Sequence, residues 1–257
     1  NAGIYTAILT VTDINGCEGY DTNTVIVDTI PIAHFSATEV CHTLPTEFID
    51  QSLNTSGTVI SWNWDMGGLG TYESGTSAIS QHPIYTYDNH GSYTVTLTVT
   101  DDNGCSDTWD STIVVRPNPT AIFTIIDTVC VGFTTQFQDQ STIVNPLGGT
   151  ITNWAWNTGG PGSYVSGTNA NDPNPEYDYT EDSTYIAQLI ITDLYGCIDS
   201  VSNPIDVNPG PIAVFSADTV CEQLPTIFTD SSYTTPPLGG NIATYNWSMG
   251  GTGTYVS

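Results

Sequence analysis

Residues 93–105 read YTVTLTVTDDNGC, and this stretch decides the fold. Its apolar positions are Tyr93, Val95, Leu97 and Val99. They alternate with four threonines, and this period of two is typical of a β-strand with one face buried and the other in water. The pair Asn103-Gly104 follows, which is the strongest short signal for a β-hairpin turn. The stretch therefore predicts a half-buried strand that turns back into a second strand containing Ile113 and Val115.

The same pattern occurs three times along the 257 residues. The alternation starts at Tyr5 and Tyr185 as well as at Tyr93, and each copy ends in a Gly-Cys turn. The six cysteines form two series with a spacing of 88 to 92 residues: Cys17, Cys105 and Cys197 in the first, and Cys41, Cys130 and Cys221 in the second. Internal similarity at a fixed period indicates a repeat architecture, here with a repeat of about ninety residues.

Each repeat is predicted to be an antiparallel β-sandwich, so the fold class is all-β. Turn residues interrupt the chain about every ten residues, and about seven short strands fit into one repeat. We expect the C-terminal part of a repeat in 1–29, complete repeats in 30–118 and 119–209, and the N-terminal half of a repeat in 210–257. Because neither partial repeat can bury a complete core, we expect the chain to be part of a longer array.

The charge composition excludes several classes of function. The chain has one Lys or Arg residue, Arg116, against 27 Asp and Glu residues, which gives a net charge of −26. Binding to nucleic acid or to an anionic membrane surface needs clustered cations, so neither is expected as a partner. Disorder is not expected either, because 39% of the residues are hydrophobic. No apolar run has the roughly 18 residues of a membrane-spanning helix, so we expect no membrane insertion by this segment.

Residues 62–68, WNWDMGG, and 82–108, HPIYTYDNHGSYTVTLTVTDDNGCSDT, resemble the polycystic kidney disease (PKD) domain pattern. That pattern is W-D-F-G-D-G followed by P-x-H-x-Y, an alternating strand and an Asn-Gly turn. The chain departs from it after the tryptophans, so any role of the family's second aspartate is unsupported. The residues that replace F-G-D-G are Asp65-Met66-Gly67-Gly68, Asn157-Thr158-Gly159-Gly160 and Ser248-Met249-Gly250-Gly251. The resemblance implies tandem immunoglobulin-like sandwiches that act as spacers or adhesive modules outside the cell.

The cysteine pattern is similar to that of repeats in very large surface proteins of Bacteroidota, including adhesins of gliding motility. This similarity implies a secreted protein at the cell surface, and the composition makes the chain acidic. The neighbouring repeats of the same chain, and identical chains in a filament, are its expected partners.

Disulfides are expected, because paired Cys-x-x-Cys metal motifs are absent and the resemblance implies an extracellular protein. In an immunoglobulin-like sandwich, Cys41 and Cys105 would lie at opposite ends of one repeat, whereas Cys41 could reach Cys197 of the next repeat. We therefore predict a Cys41–Cys197 disulfide between repeats. The partners of Cys17, Cys105, Cys130 and Cys221 are expected to lie partly outside the chain. A Cys41–Cys105 bond and free thiols stay open as alternatives.

The segments that join the repeats predict a stiff rod, because each is rich in proline. They span 27–35, 115–123 and 207–215. Disulfides between neighbouring repeats would then carry tension along the rod together with these segments.

No catalytic or cofactor-binding residue is predicted. The four histidines, His34, His42, His82 and His90, all lie in one repeat, so the sequence contains no repeated active site, and we expect no enzyme. Trp62 and Trp64 lie two residues apart, so they share a strand face and are expected in the core rather than in a sugar-binding platform.

The acidic clusters Asp101-Asp102-Asn103 and Glu181-Asp182 are interpreted as solvated loops, and no metal site is predicted. Weak calcium binding stays open as the alternative.

Five residues are candidate glycosylation sites. Asn54 and Asn246 begin Asn-x-Ser triplets, and Thr128, Ser200 and Thr219 lie in Asp-Ser/Thr-Val triplets that resemble the O-glycosylation motif of Bacteroidota. Such short patterns also arise by chance in a threonine-rich chain.

Three hypotheses about function follow. The first is a structural repeat region of a large extracellular protein or filament, and it is preferred. The second is a set of adhesive repeats that contact polysaccharide or assemble laterally, which predicts apolar patches recurring on one face. The third is the spacer of a secreted depolymerase, which predicts a non-repeating domain elsewhere in the protein.

Overall fold

The computed structural model describes residues 1–126, 129–144, 146–221 and 224–250, which contain nineteen β-strands and no helix. The strands are β1 (Gly3–Thr12), β2 (Glu18–Val27), β3 (Phe35–Ala37), β4 (Val40–Cys41), β5 (Thr46–Asp50), β6 (Val59–Asp65), β7 (Gly70–Tyr72), β8 (Ile84–Tyr87), β9 (Gly91–Asp101), β10 (Ser106–Arg116), β11 (Phe123–Ile125), β12 (Thr134–Asp139), β13 (Ile151–Asn157), β14 (Gly162–Tyr164), β15 (Glu176–Tyr179), β16 (Ser183–Asp193), β17 (Ile198–Val207), β18 (Phe215–Ala217) and β19 (Phe228–Asp230). Within the described residues, therefore, no helix could cross a membrane.

The chain divides into two compact units, Asn1–Asn118 with Asn145–Gly148, and Pro119–Val144 with Gly149–Ser257. The first unit contains the hairpin β1–β2 and a sandwich of two four-stranded sheets. One sheet has the order β3-β5-β8-β7, and the other has the order β4-β10-β9-β6. All pairings are antiparallel except that of β4 with β10. This is the antiparallel immunoglobulin-like sandwich that the sequence predicted.

The second unit repeats this architecture. Its sheets have the orders β11-β12-β15-β14 and β13-β16-β17, and the short pair β18–β19 follows. A single parallel bridge between Cys130 and Asn208 takes the place of the β4–β10 pairing. Both the strand order and the register of the two sandwiches therefore agree.

The apolar residues of the period-two pattern are the ones whose side chains are buried in the core. Val95, Leu97 and Val99 on β9 are completely buried, while the threonines between them lie on the outer face. On the neighbouring strand β6, Trp64 lies opposite Leu97 and is also buried. The expected core role of the tryptophans is confirmed for Trp64, and Trp62 packs against the same core at its margin.

Tyrosines close the other side of the core. Tyr87 donates a hydrogen bond from its hydroxyl to the carbonyl of Met66 at 2.8 Å, and Tyr85 donates to the carbonyl of Gly68 at 3.0 Å. In the second unit, Tyr179 and Tyr177 make the equivalent bonds to Thr158 and Gly160. Burial, followed by the neighbouring tyrosines, raises the pKa of Tyr87, so the phenol keeps the proton it donates.

In the loop that departs from the family pattern, steric constraints require glycine at the first of the two glycine positions. Gly67 has a φ of +66°, and a Cβ at this position would lie 2.1 Å from the carbonyl oxygen of Thr94. A side chain is therefore excluded twice, by backbone conformation and by the adjacent strand. The preceding residue, Met66, is buried in the core.

Thr46 provides a test of the core. Its side chain is 0% exposed, and its hydroxyl has no hydrogen-bond partner among the described residues; Thr135 is equivalent in the second unit. A buried hydroxyl without a partner costs free energy, so Thr46→Val should stabilise the protein by about 1 kcal/mol. The free energy of unfolding in urea measures this effect. Thr98→Val, which removes an exposed hydroxyl bonded to Thr108, is the control and should give no gain.

Candidate functional site

The turn between β9 and β10 is organised by a buried carboxylate. Asp101 accepts hydrogen bonds at one oxygen from the backbone amides of Asn103 at 3.0 Å and Cys105 at 2.8 Å. The amide of Asp101 donates to the carbonyl of Cys105 at 2.9 Å, and Gly104 has a φ of +82°. The aspartate therefore fixes the backbone of the cysteine four residues later.

The same turn occurs in all three repeats. Asp193 accepts from the amides of Tyr195 and Cys197, both at 2.9 Å, and Asp13 accepts from those of Asn15 and Cys17 at 2.9 and 2.8 Å. The hydrogen bond from the Cys17 amide is the main cause that lowers the pKa of Asp13. These three aspartates were not predicted as positioning residues, although Asp-x-x-Gly-Cys recurs with the cysteines in the sequence.

The interpretation of Asp101 as part of a solvated acidic loop is wrong. The residue is 1% exposed, and its second oxygen accepts from the side-chain amide of Asn54 at 2.9 Å. Asp193 is 2% exposed and accepts from the amide of Gly149 at 3.3 Å. Sequence reasoning missed this burial because charged residues are rarely buried unless paired, and here the pairing is with backbone amides.

The second cysteine series lies at the opposite end of each sandwich. Cys41 pairs with Arg116 at the end of β10, whereas Cys105 directly precedes the start of that strand. The eleven residues of β10 separate the two cysteines by roughly 35 Å. A disulfide needs Cα atoms about 4.4 to 6.8 Å apart, so a Cys41–Cys105 bond within the repeat is excluded. In the second unit, Cys130 and Cys197 lie at opposite ends of β17.

Two of the six cysteines are oxidised. Cys41 and Cys197 are disulfide-bonded, and the free thiols are Cys17, Cys105, Cys130 and Cys221. Partial burial, followed by the negative charges of Asp101 and Asp28, raises the pKa of the Cys105 thiol. Because the thiolate is the reactive form, this thiol should exchange slowly near neutral pH.

A second carboxylate supports the tryptophan strand. Asp50 accepts hydrogen bonds from the indole of Trp62 at 2.8 Å, the amide of Ser52 at 3.0 Å and the side chain of Gln81 at 3.1 Å. Burial raises the pKa of Asp50, but these hydrogen bonds outweigh it and hold the pKa below its ordinary value. Asp139 binds the indole of Trp154 in the same way at 2.8 Å.

Arg116 contacts a carboxylate and a backbone carbonyl. Its guanidinium lies 2.7 Å from the carboxylate of Glu39 and donates to the carbonyl of Leu147 at 3.2 Å. The Glu39 side chain is largely exposed, so this ion pair contributes little to stability.

The histidines are not brought together as an active site. His34 packs against Trp109 at a ring distance of 5.3 Å, and His42 lies 6.0 Å from His90. His82 accepts a hydrogen bond from the backbone amide of Asp50. Across the described ranges, no group of three or more His, Cys, Asp or Glu side chains is arranged to hold a metal ion.

The two acidic clusters that were considered as weak calcium sites make contacts within the protein instead. Asp102 accepts hydrogen bonds from the amide and the hydroxyl of Thr58, both at 3.1 Å. Glu181 accepts a hydrogen bond from Tyr185 through its backbone carbonyl. These contacts fix loops, so the Asp102 carboxylate is not directed into an open site.

The glycosylation candidates differ in accessibility. Asn246, Ser200 and Thr219 are exposed, whereas Asn54 is half-buried and its amide nitrogen is bound to Asp101. Thr128 lies outside the described residues. Use of these sites stays a prediction, and glycosylation of Asn54 would require loss of its hydrogen bond.

One open depression of about 340 Å³ lies in residues 211–249. Phe215, Phe228 and Trp247 line it, and they align with the buried Phe35, Phe48 and Trp64. It is therefore an incompletely covered core rather than a polar binding site.

Comparison with known proteins connects these features to a family. The PKD domain model matches residues 28–117. The pre-pro-metalloprotease PrtV of Vibrio cholerae is 43% identical over 68 residues, which are 26% of this chain and 7% of the protease. Among solved structures, the PKD1 domain of PrtV is 36% identical, with coverage of 34% of this chain and 98% of that domain and a TM-score of 0.28. The PKD1 domain of Vibrio anguillarum Epp is 30% identical, with coverage of 35% and 96% and a TM-score of 0.30.

The fold and the repeated turns define a class of tandem immunoglobulin-like β-sandwich repeats. Within this class, residues 28–117 match the PKD domain family model, and this match supports the interpretation of the repeats as PKD-like. PKD domains typically occur in extracellular proteins. The chain spans about 7% of the length of the curated relative it matches, so the activity of that relative is not transferred.

Substitution of Asp193 tests the cysteine-bearing turn. Asp193→Ala removes the acceptor for three backbone amides and should lower the free energy of unfolding by about 2 to 3 kcal/mol. The loss of order at Cys197 should also slow its oxidation during refolding. Urea titration and time-resolved alkylation with mass spectrometry measure the two effects.

Two variants serve as controls for this turn. Asp193→Asn keeps one acceptor oxygen and should be intermediate. Asp206→Ala removes an exposed carboxylate that accepts from Thr184 on the same sheet, and it should cost less. Equal effects of Asp193→Ala and Asp206→Ala would contradict a positioning role.

The lowered pKa of Asp50 predicts that the free energy of unfolding depends on pH in the acidic range. Its folded-state pKa lies below the unfolded value of about 3.9, so its contribution is present above that pH and is lost as the pH falls through the folded-state pKa. Asp50→Asn should therefore destabilise the protein at pH 7 by about 1 to 2 kcal/mol, and this difference should shrink below about pH 4. Urea unfolding at several pH values measures it. Asp110→Asn makes the same charge change at an exposed position and should show no such dependence.

Proposed function

We propose that the chain is a structural repeat region of a large extracellular protein, a stiff rod that carries tension through disulfides between repeats. The observation that carries this proposal is the position of the cysteines. In each complete repeat, one cysteine lies at one end of the sandwich, in the turn that Asp101 or Asp193 organises, here called the Asp-fixed turn. The other cysteine, Cys41 or Cys130, lies beside the last strand at the opposite end. Cysteines at both ends of every module suit covalent links from module to module.

The proposed link joins Cys41 to Cys197. Both cysteines are disulfide-bonded, and four of the six cysteines are free. A bond between them would connect the far end of one repeat with the Asp-fixed turn of the next. The buried Asp193 then serves to hold Cys197 in place for this link.

The outer faces of the sheets favour a structural role over adhesive repeats. On β9 the outer positions are Thr94, Thr96, Thr98 and Thr100, whereas the aligned positions of β16 are Ile186, Gln188, Ile190 and Thr192. An adhesive surface built from repeats would carry apolar side chains at the same positions in each copy. On this face of β9 and β16 the apolar residues do not recur, so binding through this face is the weaker alternative.

The surrounding protein is proposed to be a surface adhesin or filament protein of the Bacteroidota type, with neighbouring repeats and identical chains as partners. No catalytic role is assigned to the repeats themselves. The cysteine pattern supports this origin, including a role in gliding motility.

A spacer in a secreted depolymerase is the second candidate. The observation that favours it is the 43% identity to a segment of a Vibrio metalloprotease. In that case the sandwiches would hold a catalytic domain away from an attachment point. Sequencing the complete gene distinguishes the two, because the spacer requires a non-repeating catalytic domain.

Single-molecule pulling from the chain ends tests the proposed disulfide. A Cys41–Cys197 bond would shield 156 residues from extension. Cys41→Ser should therefore increase the final unfolded length by roughly 500 Å, because an extended chain spans about 3.4 Å per residue.

Cys105→Ser is the control, since it replaces a free thiol that lies in the same type of turn as Cys197, the proposed partner of Cys41. Its unfolded length should equal that of the oxidised wild type. If Cys41→Ser also gave the wild-type length, the proposed bond would be disproved.

A further inference from the structure

The one Lys or Arg residue of the chain lies beside one of its two oxidised cysteines. Arg116 on β10 pairs in parallel register with Cys41 on β4, and Cys41 is disulfide-bonded. We infer that Arg116 activates Cys41 by stabilising its thiolate for attack on a small-molecule disulfide such as oxidised glutathione. The inference rests on the proposed function, since it identifies the residue that would favour formation of the bond at Cys41.

Cys41 and Arg116 share the outer face of their sheet. Val40 and Val115, the pair before them, both pack in the core. Because side chains alternate between the two faces of a sheet, the next residue on each strand is directed away from the core. Paired residues on adjacent strands have Cβ atoms about 5 Å apart, so the arginine side chain starts next to the carbon that carries the thiol. The backbone amide of His42 donates to the carbonyl of Arg116 at 2.7 Å and fixes this register.

The positive charge of Arg116 is held in place and largely shielded from water. Its side chain is 15% exposed, and its guanidinium donates to the carboxylate of Glu39 at 2.7 Å and to the carbonyl of Leu147 at 3.2 Å. The Glu39 side chain is 60% exposed, so water screens its negative charge more strongly than the positive charge of Arg116. A cation beside a cysteine favours the thiolate. The net effect at Cys41 is therefore expected to favour the ionised sulfur.

Other titratable residues near β4 form a separate group. The ring of His42 donates to the backbone carbonyl of Asp88 at 3.1 Å and lies 6.0 Å from the ring of His90. Asp88 and His90 are exposed, so water screens their charges. Any change of charge on these residues is common to all the variants described below, so it does not alter the comparison between them.

The second unit contains the same arrangement without the cation. Cys130 forms a parallel bridge with Asn208, which occupies the position that Arg116 has in the first unit. The amide of Val131 donates to the carbonyl of Asn208 at 3.0 Å, as the equivalent amide does in the first unit. Cys41 and Cys130 are both half-buried. Because the residues paired with these two cysteines differ in charge, Cys130 serves as an internal reference for Cys41.

Carboxylates have the opposite effect at another cysteine. Burial, followed by the negative charges of Asp101 and Asp28, raises the pKa of the Cys105 thiol. Asp28, Arg116 and Asn208 occupy the same position in successive repeats. The charge at this position is therefore negative, positive and neutral in turn, so it can set the reactivity of nearby cysteines separately in each repeat.

The proposed reaction is thiol–disulfide exchange. The Cys41 thiolate attacks one sulfur of oxidised glutathione, which forms a mixed disulfide and releases one glutathione thiolate. The Cys197 thiolate then attacks the Cys41 sulfur of the mixed disulfide and releases the second glutathione. Two protein thiols and one oxidised glutathione thus give one protein disulfide and two reduced glutathione molecules. Arg116 acts on the first step, because the ionised thiol is the nucleophile.

Alkylation of the reduced 257-residue chain tests the role of Arg116. The folded chain, checked by circular dichroism, reacts with iodoacetamide between about pH 6 and 10, and pepsin peptides report the rate at each cysteine. In the wild type, the rate at Cys41 should reach half its maximum at a lower pH than the rate at Cys130. Arg116→Gln should move the Cys41 profile to higher pH and slow its alkylation at pH 7 by about threefold, because higher nucleophilicity offsets part of the lost thiolate. The Cys130 profile should not change.

Three further variants separate the effect of charge from that of structure. Arg116→Lys keeps the charge and should leave the rate at Cys41 within about twofold of the wild type. Glu39→Gln breaks the same ion pair as Arg116→Gln but removes a negative charge, so it should shift the Cys41 profile to lower pH. Asn208→Arg places a cation beside Cys130 and should shift the Cys130 profile to lower pH.

Two results would overturn the inference. Equal Cys41 profiles in the wild type and in Arg116→Gln would show that Arg116 does not act on the thiol. Shifts in the same direction for Arg116→Gln and Glu39→Gln would show that the ion pair acts through structure alone.

Oxidation with oxidised glutathione, followed by peptide mapping, keeps this inference apart from the proposed function. A Cys41 profile that depends on Arg116, without a linked Cys41–Cys197 peptide, would support the inference and contradict the proposed bond. A linked Cys41–Cys197 peptide, together with a Cys41 profile that does not depend on Arg116, would contradict the inference alone.

Discussion

The structure depends on contact between the inner face of one central strand and the tryptophan of the strand beside it. In the first sandwich, Leu97 lies opposite Trp64, and in the second, Leu189 lies opposite Trp156. Ion pairs cannot replace this contact, because the chain has one cationic side chain for 27 acidic ones. Apolar burial therefore supplies the stability, and each repeat keeps the same pattern of apolar residues.

Although the many carboxylates suggest a charged surface, two of them act as hydrogen-bond acceptors inside the fold. Asp50 and Asp101 accept hydrogen bonds from an indole, from amides and from side-chain nitrogens, and Asp101 is nearly completely buried. Backbone amides are available everywhere in a chain, whereas cations are almost absent from this one. A buried carboxylate can thus be stabilised by the dipoles of a tight turn instead of a salt bridge.

The sequence was sufficient to predict the all-β class, the repeat and the central strands, since these follow from the period-two pattern and the spacing of the cysteines. It was insufficient for Asp101, because an acidic residue next to Asp102 in a turn normally lies in solvent. Its burial depends on a hydrogen bond from Asn54, a residue that is distant in sequence and is brought next to Asp101 by folding. The hydroxyl of Thr46 is similar, since no local pattern distinguishes a buried threonine from an exposed one on the same strand.

The sequence around Arg116 has a consequence for the sensitivity of the chain to proteases. Digestive and host proteases of the trypsin class cleave after a lysine or an arginine, and Arg116 is the chain's one residue of this kind. Pro117 follows it directly, and a proline after the cleavage position blocks this class of enzyme. The Arg116 side chain is also mostly buried beside Glu39. A polypeptide of 257 residues thus offers these enzymes no usable cleavage point, even where it is unfolded.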